Sequence, residues 1–262
     1  MSQDKIRYEA NGGIGRITLC DPPANTYSYA MMRELDAAIL EARMDASVHA
    51  IVISGDGDKF FCAGADIKML TEADPGFKYF FCLHANETLN RLEQTPKVVI
   101  AALNGHCVGG GLEIALAADL RVAKKGGGKI GLPEVNLGVL PGTGGTQRLA
   151  RVLGRARAFE LMATGRTFSF EDAVTLGLVN EVFEAAAFDA KLEEYAAQFL
   201  PPSRASKAVG FIKRAVVSGL EASFNEGLAL ERELQQRLFE SDDAREGLAA
   251  YVERRQPRFT GR

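Results

Sequence analysis

The 262-residue chain is 47% hydrophobic and 25% charged, ordinary proportions for a globular protein, and it is long enough to bury a full core in one domain with a helical appendage. Its formal net charge of −3 supplies no global field to gather nucleic acid, and it contains no run of ~20 apolar residues that could span a bilayer. Cys20, Cys62, Cys82 and Cys107 form no CxxC pair and His49, His84 and His106 are equally scattered, so buried thiols and no metal are expected.

In chain order, the opening MSQDKIRYEANGG lacks the apolar core of a signal peptide, and a soluble, cytoplasmic protein is expected. Ile14 to Cys20, His49 to Ser54, Lys97 to Leu103 and Leu120 to Ala123 are short β-branched runs that read as strands. Between the first two, Met31, Met32, Leu35, Ala38, Ile39 and Ala42 recur at helical spacing, with Ser28 as N-cap. A second helix is predicted over Phe77 to Glu93. The sequon Asn86-Glu87-Thr88 falls inside its periodicity and is read as chance. From Thr143 onward helices dominate, with one late strand at Leu178 to Phe183. Phe188 to Phe199, Ser203 to Val217, Ser223 to Phe239 and Asp242 to Arg254 carry apolar stripes between charges, and Pro201-Pro202 separates the first pair. The pattern is an α/β core with a helical tail. It fits packing on a neighbouring subunit and packing on the chain's own core equally well.

Three stretches carry chemistry-bearing residues. Asn104-Gly105-His106-Cys107-Val108-Gly109-Gly110-Gly111-Leu112-Glu113 follows an apolar strand, and its glycines expose backbone N–H groups at the start of a helix, where negative charge is favoured. Those glycines serve tight strand-to-helix packing equally well. Phe60-Phe61-Cys62-Ala63-Gly64-Ala65-Asp66-Ile67-Lys68 again sets small residues after a strand, and taken alone it is a plain turn with Asp66 as a helix cap. Gly131 to Leu149 (GLPEVNLGVLPGTGGTQRL) fixes the backbone before Glu134 with Pro133 and allows a tight loop at Gly142 to Gly145. In isolation Glu134 is a surface carboxylate and Glu113 a charge suited to a helix N-terminus.

Together these stretches resemble the crotonase, or enoyl-CoA hydratase/isomerase, superfamily. The resemblance covers nearly the whole chain, from the turn at Ile17 to Asn25, through CAGADIK, NGHCVGGGLEIALAAD and GLPEVNLGVLPGTGGTQRL, to DDAREGLAAYVERR. It implies a spiral of ββα units over residues 1–195 and a C-terminal helical trimerisation region over 196–262, giving a homotrimer or homohexamer. It implies an acyl-CoA substrate, with coenzyme A part of that substrate and no separate cofactor. It assigns Glu113 and Glu134 as the catalytic pair of a hydratase, Glu113 activating water and Glu134 nearer Cα. The Ala65 and Gly110 N–H groups match its oxyanion hole. Ala24, Ala63, Ala65, Asp66, Ile67 and Lys68 fall along its CoA groove, although Lys68 is equally a solvated helix charge. Met69, Leu70, Phe77, Phe80 and Phe81 offer apolar bulk for an acyl pocket or a core.

Two features depart from the family. Gly126-Gly127-Gly128-Lys129-Ile130-Gly131 satisfies GxGxxG, yet Leu132-Pro133 follows where a dinucleotide fingerprint needs a helix. Tyr27 is bulkier than the usual Leu, which bears on acyl preference. His106, alone beside a glycine turn, reads as structural. The alternatives are a Δ3,Δ2-enoyl-CoA isomerase, which needs one carboxylate at Glu134, another acyl-CoA lyase, or a non-catalytic RNA-binding relative, against which the negative balance weighs.

Overall fold

The computed structural model describes residues 4–262. An N-terminal hairpin joins β1 (Ile6–Asn11) to β2 (Ile14–Leu19) through Gly12-Gly13, both at positive φ. Gly-Gly is a hairpin signal in its own right. The sequence reading passed over β1 because this edge strand buries only Ile6 and so carries no buried face. Next comes α1 (Tyr29–Met44), capped by the Ser28 hydroxyl, which accepts from Met31 N at 3.3 Å. All six of its predicted apolar residues are buried.

The chain then runs three times through long strand, short strand and helix. β3 (Ala50–Gly55) is followed by β4 (Phe60–Cys62), α2 (Ile67–Glu72) and α3 (Pro75–Glu93). β5 (Val98–Leu103) is followed by β6 (His106–Val108) and α4 (Gly110–Leu116). β7 (Leu120–Lys124) is followed by β8 (Lys129–Gly131), a 3-10 turn at Glu134–Leu137 and α5 (Gly145–Leu153). α6 (Arg155–Thr164), β9 (Phe168–Ser169), α7 (Phe170–Leu176) and β10 (Glu181–Phe183) complete the core. The long strands and the three-residue β10 form one sheet, β1-β2-β3-β5-β7-β10, parallel from β2 onward. The short strands form a second, β4-β6-β8-β9, whose first three are parallel. This repetition is the ββα spiral. Its short strands have two or three residues each, too few for period-two alternation to register in sequence.

One predicted strand is shorter than expected. Of Leu178 to Phe183 only Glu181–Phe183 pairs, because the Leu178 and Val179 N–H groups both donate to Ala173 O and close the end of α7. The tail forms α8 (Phe188–Ala197), α9 (Ser206–Gly219), α10 (Phe224–Phe239) and α11 (Asp242–Glu253). α8 lays Phe188, Leu192 and Ala196 on the large sheet against Ala50, Val52, Ile100 and Val122, and residue 195 lies within it. In α9 the buried Lys213 ammonium pairs with Asp119 at 2.9 Å, which pins this helix to the core. α10 buries Leu234 alone, and Phe224 (80% exposed) and Tyr251 (86%) face outward. Among the described residues no helix is long and apolar enough to cross a membrane.

Asn104 holds the turn between the two sheets. Its side chain accepts from Gly55 N at 3.0 Å and donates to Gly55 O at 2.9 Å and Gly57 O at 2.6 Å, tying the end of β5 to the end of β3. Asn104→Ala removes the partner of the buried Gly55 N–H and C=O and is expected to destabilise the fold by about 1–3 kcal/mol, measured by urea unfolding.

Candidate active site

β4, β6 and β8 are adjacent and parallel, so their C-terminal ends lie at one edge of the small sheet. Each runs directly into one of the stretches singled out above: residues 63–66, Gly109-Gly110, and residues 132–134. Gly109 N donates to Gly131 O at 2.9 Å, which links the second and third. Segments roughly twenty to seventy positions apart in sequence therefore meet because the same supersecondary unit repeats.

Two backbone N–H groups at this edge point at no protein acceptor. Tyr27 N donates to Gly64 O and Asp66 N to Tyr27 O, both at 3.0 Å, so the bridge between these segments skips the Ala65 N–H. Gly110 begins α4, where a helix leaves its first amides without intrahelical partners. Neither the Ala65 nor the Gly110 N–H donates to an acceptor among the described residues. They sit close together: a Cβ at Gly64 would lie 3.1 Å from Gly110 N. Gly110 itself has no room for a side chain, since a Cβ there would lie 1.9 Å from the Tyr27 ring.

The two glutamates occupy opposite environments. Glu113, on α4, is 2% exposed. Its Oε1 accepts from Thr143 N and Gly145 N, each at 2.7 Å, and its Oε2 accepts from the Thr143 hydroxyl. Three donors and no acceptor face it, an arrangement complementary to an ionised carboxylate. Arg148 braces the loop that supplies them, donating to Thr143 O at 3.5 Å and to Asn90 and Glu93 of α3. Glu134 sits at the start of the 3-10 turn, half-buried, and its Oε2 has no hydrogen-bond partner. Burial first, and the Glu113 charge to a lesser degree, push its carboxyl up to about 7. Its Oε1 lies 3.1 Å from where a Gly109 Cβ would stand, beside the Gly110 amide.

The other sequence candidates fall around this centre. Ala63 N donates to Ala24 O at 3.0 Å, which brings the Asp21 to Tyr27 turn alongside residues 63–66. Asp66 is the N-cap of α2, accepting from Lys68 N at 2.8 Å and Met69 N at 3.3 Å, and Ile67 and Lys68 are exposed. Phe77 and Phe81 stack on one face of α3, with Phe81 stacked in turn on Tyr27, whereas Phe80 is exposed and packs edge-on against Tyr79. Phe81 turns into the core at 1% exposure, whereas Phe80, one position earlier on the helix, is 66% exposed. His106 Nδ1 accepts from Lys129 N at 3.0 Å and ties β6 to β8, a structural part. The Gly126 to Gly131 run joins β7 to β8 and opens no helix. Cys62 and Cys107 are buried and Cys20 and Cys82 half-buried. Sequence reasoning missed Thr143 as a partner of Glu113, and Tyr27 as hydrogen-bonded to Thr143. The hydroxyl set into the Gly142-Thr143-Gly144-Gly145 run was the available signal.

The repeated ββα units thus deliver two unpaired amides and two carboxyls to one edge. A profile for the family described as enoyl-CoA hydratase/isomerase matches residues 9–262. A probable enoyl-CoA hydratase of Bacillus subtilis is 37% identical over 250 residues, covering 95% of each chain. A short-chain-enoyl-CoA hydratase of Clostridium acetobutylicum is 35% identical over 256 residues, covering 97% of each. A crystal structure from Geobacillus kaustophilus, described as an enoyl-CoA hydratase, superposes with a TM-score of 0.96 at 45% identity, covering 100% of this chain and 98% of that one. The chain belongs to the enoyl-CoA hydratase/isomerase, or crotonase, family, and it is an enzyme of that family.

Glu134 supplies a direct check on this geometry. Carbon-13 titration of labelled glutamate, assigned by the resonance lost in Glu134→Gln, should show it taking up its proton near pH 7, against 4.5 for a free side chain. Because the folded state holds this proton more tightly than the unfolded chain, its contribution to stability is fully present below about pH 4.5 and lost as pH rises through about 7.

Proposed function

We propose that the chain is an enoyl-CoA hydratase, adding water syn across the double bond of a 2-trans-enoyl-CoA to give a 3-hydroxyacyl-CoA. One observation carries the reading: the unpaired Ala65 and Gly110 amides stand beside two glutamates in unlike environments. The thioester oxygen accepts from both amides, and the enolate charge that builds as water adds meets donors that need no reorganisation, each worth roughly 3–4 kcal/mol in the transition state. Glu113, faced only by donors, takes a proton from water as the oxygen bonds to Cβ. Glu134, which keeps its proton up to about pH 7, delivers it to Cα. The hydroxyl ends on Cβ and a hydrogen on Cα, and proton exchange from Glu113 back to Glu134 resets the pair. Coenzyme A enters as part of the substrate, along Ala24, Ala63, Asp66, Ile67 and Lys68, with the exposed Lys68 ammonium toward its phosphates. The exposed Phe77 ring receives the acyl chain, with Phe81 buried in the core behind it.

The exposed apolar side chains of α9 to α11 support assembly into a homotrimer or a pair of trimers. Size-exclusion chromatography with light scattering should give three or six copies, and a monomer at micromolar concentration contradicts that assembly.

Hydration of crotonyl-CoA, followed by loss of its ultraviolet absorbance, tests the chemistry. Glu113→Gln and Glu134→Gln should each lower kcat by about 10²–10⁴-fold, the usual range for a lost general acid or base. A wild-type protein inert toward crotonyl-CoA and longer 2-enoyl thioesters sinks the hydratase reading. Isomerisation of a 3-enoyl-CoA that survives Glu113→Gln but not Glu134→Gln would mark an isomerase instead.

A further inference from the structure

We propose that Tyr27 and Thr143 form a hydroxyl chain that positions Glu113, with Tyr27 Oη donating to Thr143 Oγ1 and Thr143 Oγ1 donating to Glu113 Oε2. The effect on turnover rests on the hydratase reading, whereas the chain itself rests on the geometry.

All three side chains are buried, Tyr27 and Glu113 at 2% exposure and Thr143 at 1%. Tyr27 Oη lies 3.1 Å from Thr143 Oγ1, which is hydrogen-bonded to Glu113 Oε2. The direction of the chain follows from counting protons. Glu113 Oε1 already has two amide donors, and Oε2 receives only the Thr143 hydroxyl among the described residues. A hydroxyl has one proton, so with that proton committed to Glu113 the Thr143 oxygen has only lone pairs to offer Tyr27. Tyr27 keeps its proton to give: burial, and then the Glu113 charge, push its phenol well above the ordinary range.

The two amides fix one carboxyl oxygen but leave the other free to swing about the soft terminal torsion of the side chain. The Thr143 hydroxyl removes that freedom, and Tyr27 removes the freedom of the hydroxyl. Tyr27 is itself immobile, its ring stacked on Phe81 at 5.7 Å and packed against the Gly110 backbone. The residue flagged in the sequence for its bulk thus abuts one unpaired amide and, through Thr143, orients the base. Both are positioning residues, and neither needs to touch substrate.

The test combines crotonyl-CoA kinetics with infrared spectroscopy of the Glu113 carboxylate stretch, identified as the band missing in Glu113→Gln. Thr143→Val should lower kcat by about ten- to a hundredfold and Tyr27→Phe by about three- to tenfold, with KM changed by less than about twofold, in line with hydrogen bonds to a charged group. Thr143→Ser, which restores the hydroxyl, should recover most of the loss. The infrared band should move in Thr143→Val, less in Tyr27→Phe, and return in Thr143→Ser. Wild-type turnover with an unmoved band in Thr143→Val and Tyr27→Phe overturns the proposal. So does Thr143→Ser as impaired as Thr143→Val, because volume rather than the hydroxyl would then matter. If the wild type hydrates no 2-enoyl thioester, the hydratase reading fails, and the infrared arm still decides the hydroxyl chain.

Discussion

A carboxyl group placed almost out of reach of water, as Glu113 is, has to be met by donors from the protein. Removing the partners of a buried charge typically costs about 3–5 kcal/mol, a large part of the stability of a single domain. The donors come from residues 143–145, a loop whose own path needs support: Gly144 adopts a φ of 112°, and Arg148 reaches back to Thr143 O while holding Asn90 and Glu93. One buried carboxyl therefore joins α4, α5 and α3. The helix that carries it also opens with the Gly110 amide, so the requirement that satisfies the charge also fixes the direction of that N–H.

The contrast between the two glutamates follows from where the spiral sets them down. Glu113 falls in the first turn of a fully buried helix behind β6, with the incoming loop folded over it. Glu134 falls on a short 3-10 turn after β8, at the rim, where no donor is aimed at its Oε2. Backbone placement alone gives identical side chains unlike surroundings: donors hold Glu113, whereas burial with no partner for its Oε2 raises the proton affinity of Glu134.

Much of this was legible in the sequence, and the boundary has physical causes. The long strands and α1 could be read because burial on two faces or on one stripe imprints a run or a period. The stretches at residues 60–68, 104–113 and 131–149 stood out through glycine, proline and their order. The short strands preceding the site did not, since three residues carry no period, and neither did β1, whose outward side leaves it without a buried face. Partnerships across the fold were equally silent. Nothing local to Tyr27 says that it meets Thr143, 116 positions away, because that contact exists only once the segment ahead of α1 and the loop ahead of α5 have been folded together.

The unpaired Ala65 and Gly110 donors belong to the main chain, and this gives the site an unusual genetic signature. No replacement of a side chain can delete a peptide N–H, short of proline. A scan that replaces residues one at a time with alanine would be blind at Ala65 and would read Gly110 as a packing defect against Tyr27. The carboxyls and hydroxyls around these amides can be exchanged by single codon changes while the amides persist. The architecture thus separates a part that mutation can hardly remove from a part that it can readily rewrite, which is a physical basis for one fold carrying several related chemistries.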